Sequence, residues 1–148
     1  MLSELTNEKL VKLNIEASDW QDAVRKAAAP LAEQKKIKPC YIDAIINSVK
    51  EVGPYILITK HVALPHARPE EGALESAIGI ATLKTPVCFG NPDNDPVKYM
   101  FTLSAKDSSS HLSALANLAQ LMDDKNFYEC LDQANDPQDV IHYIKKGW

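Results

Sequence analysis

The stretch GPYILITKHVALPHARPEEG, residues 53–72, decides how the chain is read, because a helical pattern ends where it begins. Upstream, Pro39 suits a first helical turn, and Ile42, Ile45, Ile46 and Val49 recur on one face of a helix that Gly53-Pro54 stops. Tyr55–Ile58 then reads as a short buried strand, and Val62–Leu64 as a second extended piece running into Pro65. Toward the N-terminus, Ser18 and Asp19 are caps for a helix from about Trp20, with Val24, Ala27, Ala28 and Leu31 at three- and four-residue spacing. Pro30 is expected to kink or shorten it. Toward the C-terminus, Ser76–Leu83 reads as a strand whose glycine signals close packing. Val87-Cys88-Phe89, the turn-rich GNPDNDP and a long strand from Val97 to about Ala105 follow. The last third is helical. Leu112, Leu115, Ala116, Leu118, Ala119 and Met122 mark one helix, residues 126–133 a short one, and Asp136-Pro137 opens a third carrying Val140, Ile141 and Ile144. Strands interleaved with helices, with helices gathered at both ends, imply a layered α/β domain with a mixed sheet.

Composition narrows the function classes. With 148 residues, 45% hydrophobic and 24% charged, the chain suits one domain over residues 1–148 with a sizeable core. A formal net charge of −4 lacks the basic stripe that a phosphate backbone requires, so nucleic acid is not an expected partner. MLSELTNEKL has no charged n-region with an apolar core, and no apolar run approaches the roughly 20 residues of a spanning helix. Cys40, Cys88 and Cys130 are far apart and odd in number, which disfavours a disulfide framework or a CxxC metal site. They read as small hydrophobes, Cys88 as part of a strand. A cytoplasmic, reduced protein is expected.

His66 and His111 hold the chemical interest. Pro65 fixes its own φ and pushes Leu64 toward an extended conformation, so His66 leaves a strand end along a restricted path. A neutral imidazole, with an ordinary pKa of about 6.5, is a competent nucleophile near neutral pH. The plainer alternative is a loop histidine bonded to a neighbour. His111 falls in the first turn of a helix, where free amides and the positive dipole end favour an anion and disfavour an imidazolium. Ser108, Ser109 and Ser110 bring hydroxyls to that helix mouth, or serve simply as its cap. His61 and His142 read as surface residues. A metal site from His61 and His66 lacks a nearby cysteine or a carboxylate at helical spacing. Asp93 and Asp95, set among prolines and asparagines, read as a solvated turn.

GPYILITKHVALPHARPEEG, DNDPV and SAKDSSSHLSALANLAQLM together resemble the enzyme IIA component of the sugar phosphotransferase system, in its mannitol/fructose superfamily. GPY and DNDPV most resemble the ascorbate-type branch. The likeness runs from about Trp20 to the C-terminus. It implies a mixed sheet flanked by helices on both sides. It also implies that His66 takes a phosphoryl group on Nε2 from phospho-HPr and passes it to a cysteine of enzyme IIB, working indirectly with a membrane enzyme IIC. His111 matches the family's second active-site histidine. No metal or other cofactor enters that scheme, since phosphoryl transfer asks mainly for positioning and charge stabilisation. A shallow, exposed site is expected, because the intermediate must be formed and lost reversibly.

One departure stands out. Mannitol-type relatives carry an active-site arginine on the second helix, where this chain has Ser48, Val49 and Lys50. Arg68 is the substitute cation, unless it pairs at the surface with Glu70 or Glu71. Tyr55, Ser104 and Ser110 are further candidates for lining the phosphate site. A regulatory protein of the same fold, switched by phosphorylation of His66, is the second function class. A metal-dependent hydrolase is the third.

Overall fold

Asp19 opens the first helix by accepting the amide of Asp22 at 2.8 Å, so α1 runs Trp20–Glu33 in the computed structural model, which describes residues 2–147. Met1 and Trp148 lie outside the described residues. The helix continues three residues past Pro30. The lost amide bond does not end it there, because Ala27, Ala28, Pro30 and Leu31 are all buried on its core face. Helix α2, Pro39–Val52, has the expected proline in its first turn and stops at Gly53, whose φ of 106° suits glycine.

Five strands form one mixed sheet: β1 (Val11–Ile15), β2 (Leu57–Thr59), β3 (Val62–Ala63), β4 (Ala77–Val87) and β5 (Val97–Ser104), in the order β1-β4-β5-β3-β2. β1 is parallel to β4 and β3 is parallel to β5, while β4/β5 and β2/β3 are antiparallel. β1 escaped the sequence reading, although Val11, Leu13 and Ile15 alternate with Lys12 and Asn14 at the period of a strand. The first edge piece also differs from expectation. Pairing starts at Leu57 rather than Tyr55, and Ile58 is exposed, because this strand is the sheet's margin and has solvent on one side.

Helices cover both faces, as α/β layering requires. On one face Ala81, Leu83 and Met100 pack with Val24 and Leu31 of α1 and Ile45 of α2. On the other, Ile78, Ile80, Phe101 and Leu103 meet α3 (Ser108–Met122), α4 (Lys125–Gln133) and α5 (Pro137–Gly147) through Leu118, Phe127 and Ile141. Each fully buried Val, Leu, Ile, Phe or Met side chain among them contributes about 1.5–3 kcal/mol. Gly79 brings β4 against α1: a Cβ there would stand 2.4 Å from Leu31 Cδ1.

Two expectations are corrected. α3 buries Ala114, Leu118 and Leu121, leaving Leu112, Ala116 and Ala119 exposed. Its sequence is apolar nearly all round, so periodicity could not select the face. Cys88 lies one residue past β4 and is exposed, as is Cys40, so neither fills a core; Phe89 is the buried residue at that end of the strand.

Candidate functional site

β3 and β5 run parallel, so the chain leaves both at the same end of the sheet. Beyond β3 the chain stays stitched to its neighbours: Leu64 donates to the Ile56 carbonyl at 2.7 Å, and the Pro65 carbonyl accepts from Leu103 at 2.9 Å. His66 is the next residue out. Beyond β5, Asp107 caps α3 by accepting the Ser110 amide at 2.7 Å, which places His111 on that helix's first turn. The two imidazoles meet with ring centroids 5.6 Å apart, tilted by 58°.

The His66 ring is held in one chemical form. Nδ1 lies 2.7 Å from the Leu64 carbonyl, which can only accept, so Nδ1 carries the proton and Nε2 keeps its lone pair. Tyr55 stands edge-on to the ring at 5.4 Å and 86°, and its hydroxyl donates to the His66 carbonyl at 2.7 Å. Burial, ahead of a lowering contribution from Ser48 and the field of Glu71, raises the Tyr55 pKa, so the hydroxyl remains a donor. Behind both sits Tyr41, fully buried on α2. Its hydroxyl accepts from the Ala67 amide at 3.0 Å and shares its proton between the carbonyls of Leu103, at 2.8 Å, and Ala67, at 3.1 Å. Burial above all pushes its pKa up to about 12.

His111 presents an imidazole rather than a backbone donor, since its own amide bonds the Asp107 carbonyl at 3.0 Å. Burial first, and then the proximity of His66, lower its pKa, keeping the ring neutral and able to donate one hydrogen bond. The rings open into a hollow of about 570 Å³, also lined by Ser48, Tyr55, Arg68, Glu71, Ser108 and Leu112. Arg68 is the only cationic side chain in that lining among the described residues. Its Nε is 3.8 Å from Oε1 of Glu71, so it lines the hollow and pairs at the surface at once.

Of the candidates, His66, His111, Arg68 and Tyr55 share this hollow; Ser110 and Ser104 do not. Ser110 lines a separate hollow with Glu4, Ser76 and Ser113, because a two-residue step turns it about 200° round the helix, away from Ser108. Ser104 is fully buried, and its hydroxyl donates to the Glu75 carbonyl at 2.8 Å, which leaves it unavailable to a ligand. Tyr55 has spent its proton on His66, so it orients the histidine instead of donating to a phosphate. Asp107, not a serine, makes the helix cap.

Asp95 is likewise more than a solvated turn residue: its carboxylate takes the amides of Phe89, Gly90 and Asn91 at 2.7–2.9 Å, ordering the loop. His61 sits in the β2–β3 turn with φ 69°, its Nδ1 2.7 Å from the Pro96 carbonyl, at the other end of β3 from His66. No group of three metal-ligating side chains gathers among the described residues, and none of their helices is long and apolar enough to cross a membrane. Sequence reasoning missed Tyr41, which reads as one more apolar residue beside Ile42 and Ile45, and gave Glu71 no role beyond pairing.

A mixed sheet with helices on both faces and paired histidines at one end of its strands defines a mannitol-type enzyme IIA domain. The chain belongs to the family "Phosphoenolpyruvate-dependent sugar phosphotransferase system, EIIA 2", whose model matches residues 4–147, so the likeness begins well before Trp20. SgcA of Escherichia coli (strain K12), which carries the name of a phosphotransferase IIA component, is 42% identical over 115 residues, 78% of this chain and 80% of that protein. The ascorbate-specific PTS system EIIA component of the same organism is 33% identical over 143 residues, 96% of this chain and 93% of its own length. The solution structure of the mannitol-specific cryptic phosphotransferase enzyme IIA CmtB from Escherichia coli superposes with a TM-score of 0.87 at 34% identity, covering 99% of both chains. The fold alone is shared, at 18% identity and a TM-score of 0.81, with the complex of enzyme IIA-Mtl and phosphorylated enzyme IIB-Mtl from Escherichia coli, over 95% of this chain and 97% of that one.

Proposed function

We propose that this protein is a cytoplasmic phosphocarrier whose His66 accepts a phosphoryl group from phospho-HPr and hands it to a cysteine of an enzyme IIB, serving uptake of a sugar-like molecule through a membrane enzyme IIC. One observation carries the reading: Nδ1 of His66 is tied to the Leu64 carbonyl while its ring meets His111 at the hollow, so the lone pair on Nε2 is the available nucleophile. The Nε2–P bond forms as the bond between phosphorus and its donor atom on HPr breaks, and that atom keeps the electron pair. The imidazole gains positive character, which the Leu64 carbonyl stabilises through the Nδ1 proton. His111 donates to a phosphoryl oxygen, and Arg68 and Ser108 supply further donors to a group carrying roughly −2 charge.

The second transfer runs the same way, with the cysteine sulfur attacking phosphorus and the electron pair returning to Nε2. No metal takes part in this scheme. The solved complex of a distant relative with its phosphorylated enzyme IIB supports the IIB partner. L-ascorbate is the substrate that the 33% identical ascorbate-specific relative supports. The test is incubation with phosphoenolpyruvate, enzyme I and HPr, followed by a search for acid-labile phosphate on the protein. Labelling that disappears in His66→Ala is the expected result; no labelling, or labelling that survives the substitution, overturns the proposal.

A further inference from the structure

The hollow that receives the phosphoryl group contains a carboxylate. Glu71 lines it together with Arg68, and the two face each other at 3.8 Å, an open ion pair whose side chains are 79% (Arg68) and 31% (Glu71) exposed. The 3-10 turn Pro69–Glu71 holds Glu71 three residues after Arg68, and the Glu71 amide donates to the Arg68 carbonyl at 2.9 Å, so the pair belongs to one short, internally bonded segment. The field of Glu71 reaches Tyr41 and Tyr55, the two hydroxyls that brace the chain at His66 and Ala67. The charged side chains lining the hollow therefore cancel before a phosphate arrives, and the guanidinium meant for the phosphate already has a partner.

We infer that Glu71 sets the phosphoryl-transfer potential of His66: it competes with the phosphoryl group for Arg68 and repels the anion, keeping phospho-His66 ready to give its phosphate up. This rests on the phosphocarrier reading. A carrier gains nothing from a deep energy well, since a phosphohistidine held too tightly would not pass its load to the next protein. A carboxylate beside the one cation is a direct way of keeping the well shallow. An exposed pair of this kind is weak enough to be broken at each turnover.

The experiment measures the equilibrium partition of phosphate between HPr and the protein, by 31P NMR, for the native chain, Glu71→Gln, Arg68→Ala and the double variant. Glu71→Gln is expected to shift the partition toward this protein by about two- to fivefold, the range of an exposed ion pair. Arg68→Ala is expected to shift it the other way, and to leave Glu71→Gln a smaller effect in the double variant. An unchanged partition in Glu71→Gln, or the same shift with and without Arg68, overturns the inference while the carrier role stands. A native protein that takes no phosphate from HPr removes the carrier role and this inference together.

Discussion

The imidazoles of His66 and His111 lie 5.6 Å apart between ring centroids, brought there by two parallel strands that finish at the same end of the sheet. With Nδ1 of His66 bound to the Leu64 carbonyl, His111 is left free of that bond, and in the proposed function its part is to donate to the phosphoryl group. His111→Ala is expected to fold normally by circular dichroism and to take phosphate from HPr about 10²-fold more slowly, the scale of losing one hydrogen-bond donor to a transferring group. Unaltered rates in rapid-quench labelling would remove the role given to it.

The pH dependence of His111 has a definite sign. Burial and the nearby His66 lower its pKa, so as pH falls below about 6.5 the unfolded chain takes up the proton before the folded one does. His111 therefore costs stability as pH drops through the window between 6.5 and its lower folded value, and costs nothing above it. Urea unfolding at a series of pH values should show this slope in the native chain and lose it in His111→Gln. NMR titration should also find the His111 pKa raised once His66 is phosphorylated, since the new anion favours the imidazolium.

Tyr55→Phe keeps the ring edge against His66 and loses the hydrogen bond to its carbonyl. A loss of about 0.5–1.5 kcal/mol in unfolding free energy is expected, with transfer slowed less than about tenfold. Tyr55→Leu removes both contacts and should slow transfer further. Equal rates for the two variants would mean that the ring contributes nothing to orienting the histidine.

Tyr41→Phe strands the buried Ala67 amide, whose acceptor is the Tyr41 hydroxyl. The expected loss is about 1–3 kcal/mol by denaturant unfolding. In the native chain Tyr41 resists ionising up to about pH 12, while an unfolded tyrosine ionises near 10. Its contribution is thus complete below pH 10 and fades between 10 and about 12, a slope that Tyr41→Phe should remove.

Gly79→Ala places a methyl 2.4 Å from Leu31 Cδ1, and Leu31 is fully buried. Overpacking of this kind costs about 1–3 kcal/mol. A urea midpoint equal to that of the native chain would show that β4 and α1 have slack between them.

What was readable in the sequence had a local cause. Pro39, Gly53 and Asp136-Pro137 mark helix ends through their own backbone chemistry, and the α1 and α2 faces follow from clean periodicity. Pro65-His66 stood out because proline restricts the path into it. What was not readable depended on a partner far along the chain. Which face α3 buries is decided by Phe101 and Leu103 across the sheet, since its own apolar residues surround the helix. Ser104 and Ser110 look like any other polar residues near His111 until the sheet buries one and the helix turns the other away. Tyr41 earns its place through Ala67 and Leu103, and no spacing within α2 announces that.

The loop that Asp95 organises joins the far end of β4 to the start of β5, so the DNDPV segment stands about 23 Å of strand from the histidines. The exposed thiol of Cys88 begins that loop, whereas the other exposed thiol, Cys40, touches the Glu71 carbonyl beside the hollow. A Cys40→Ser version of the protein would therefore carry a remote attachment point. A fluorophore or surface tether on Cys88 would leave the hollow between His66 and His111 uncovered, and the phosphate transfer proposed above could then be followed on single immobilised molecules.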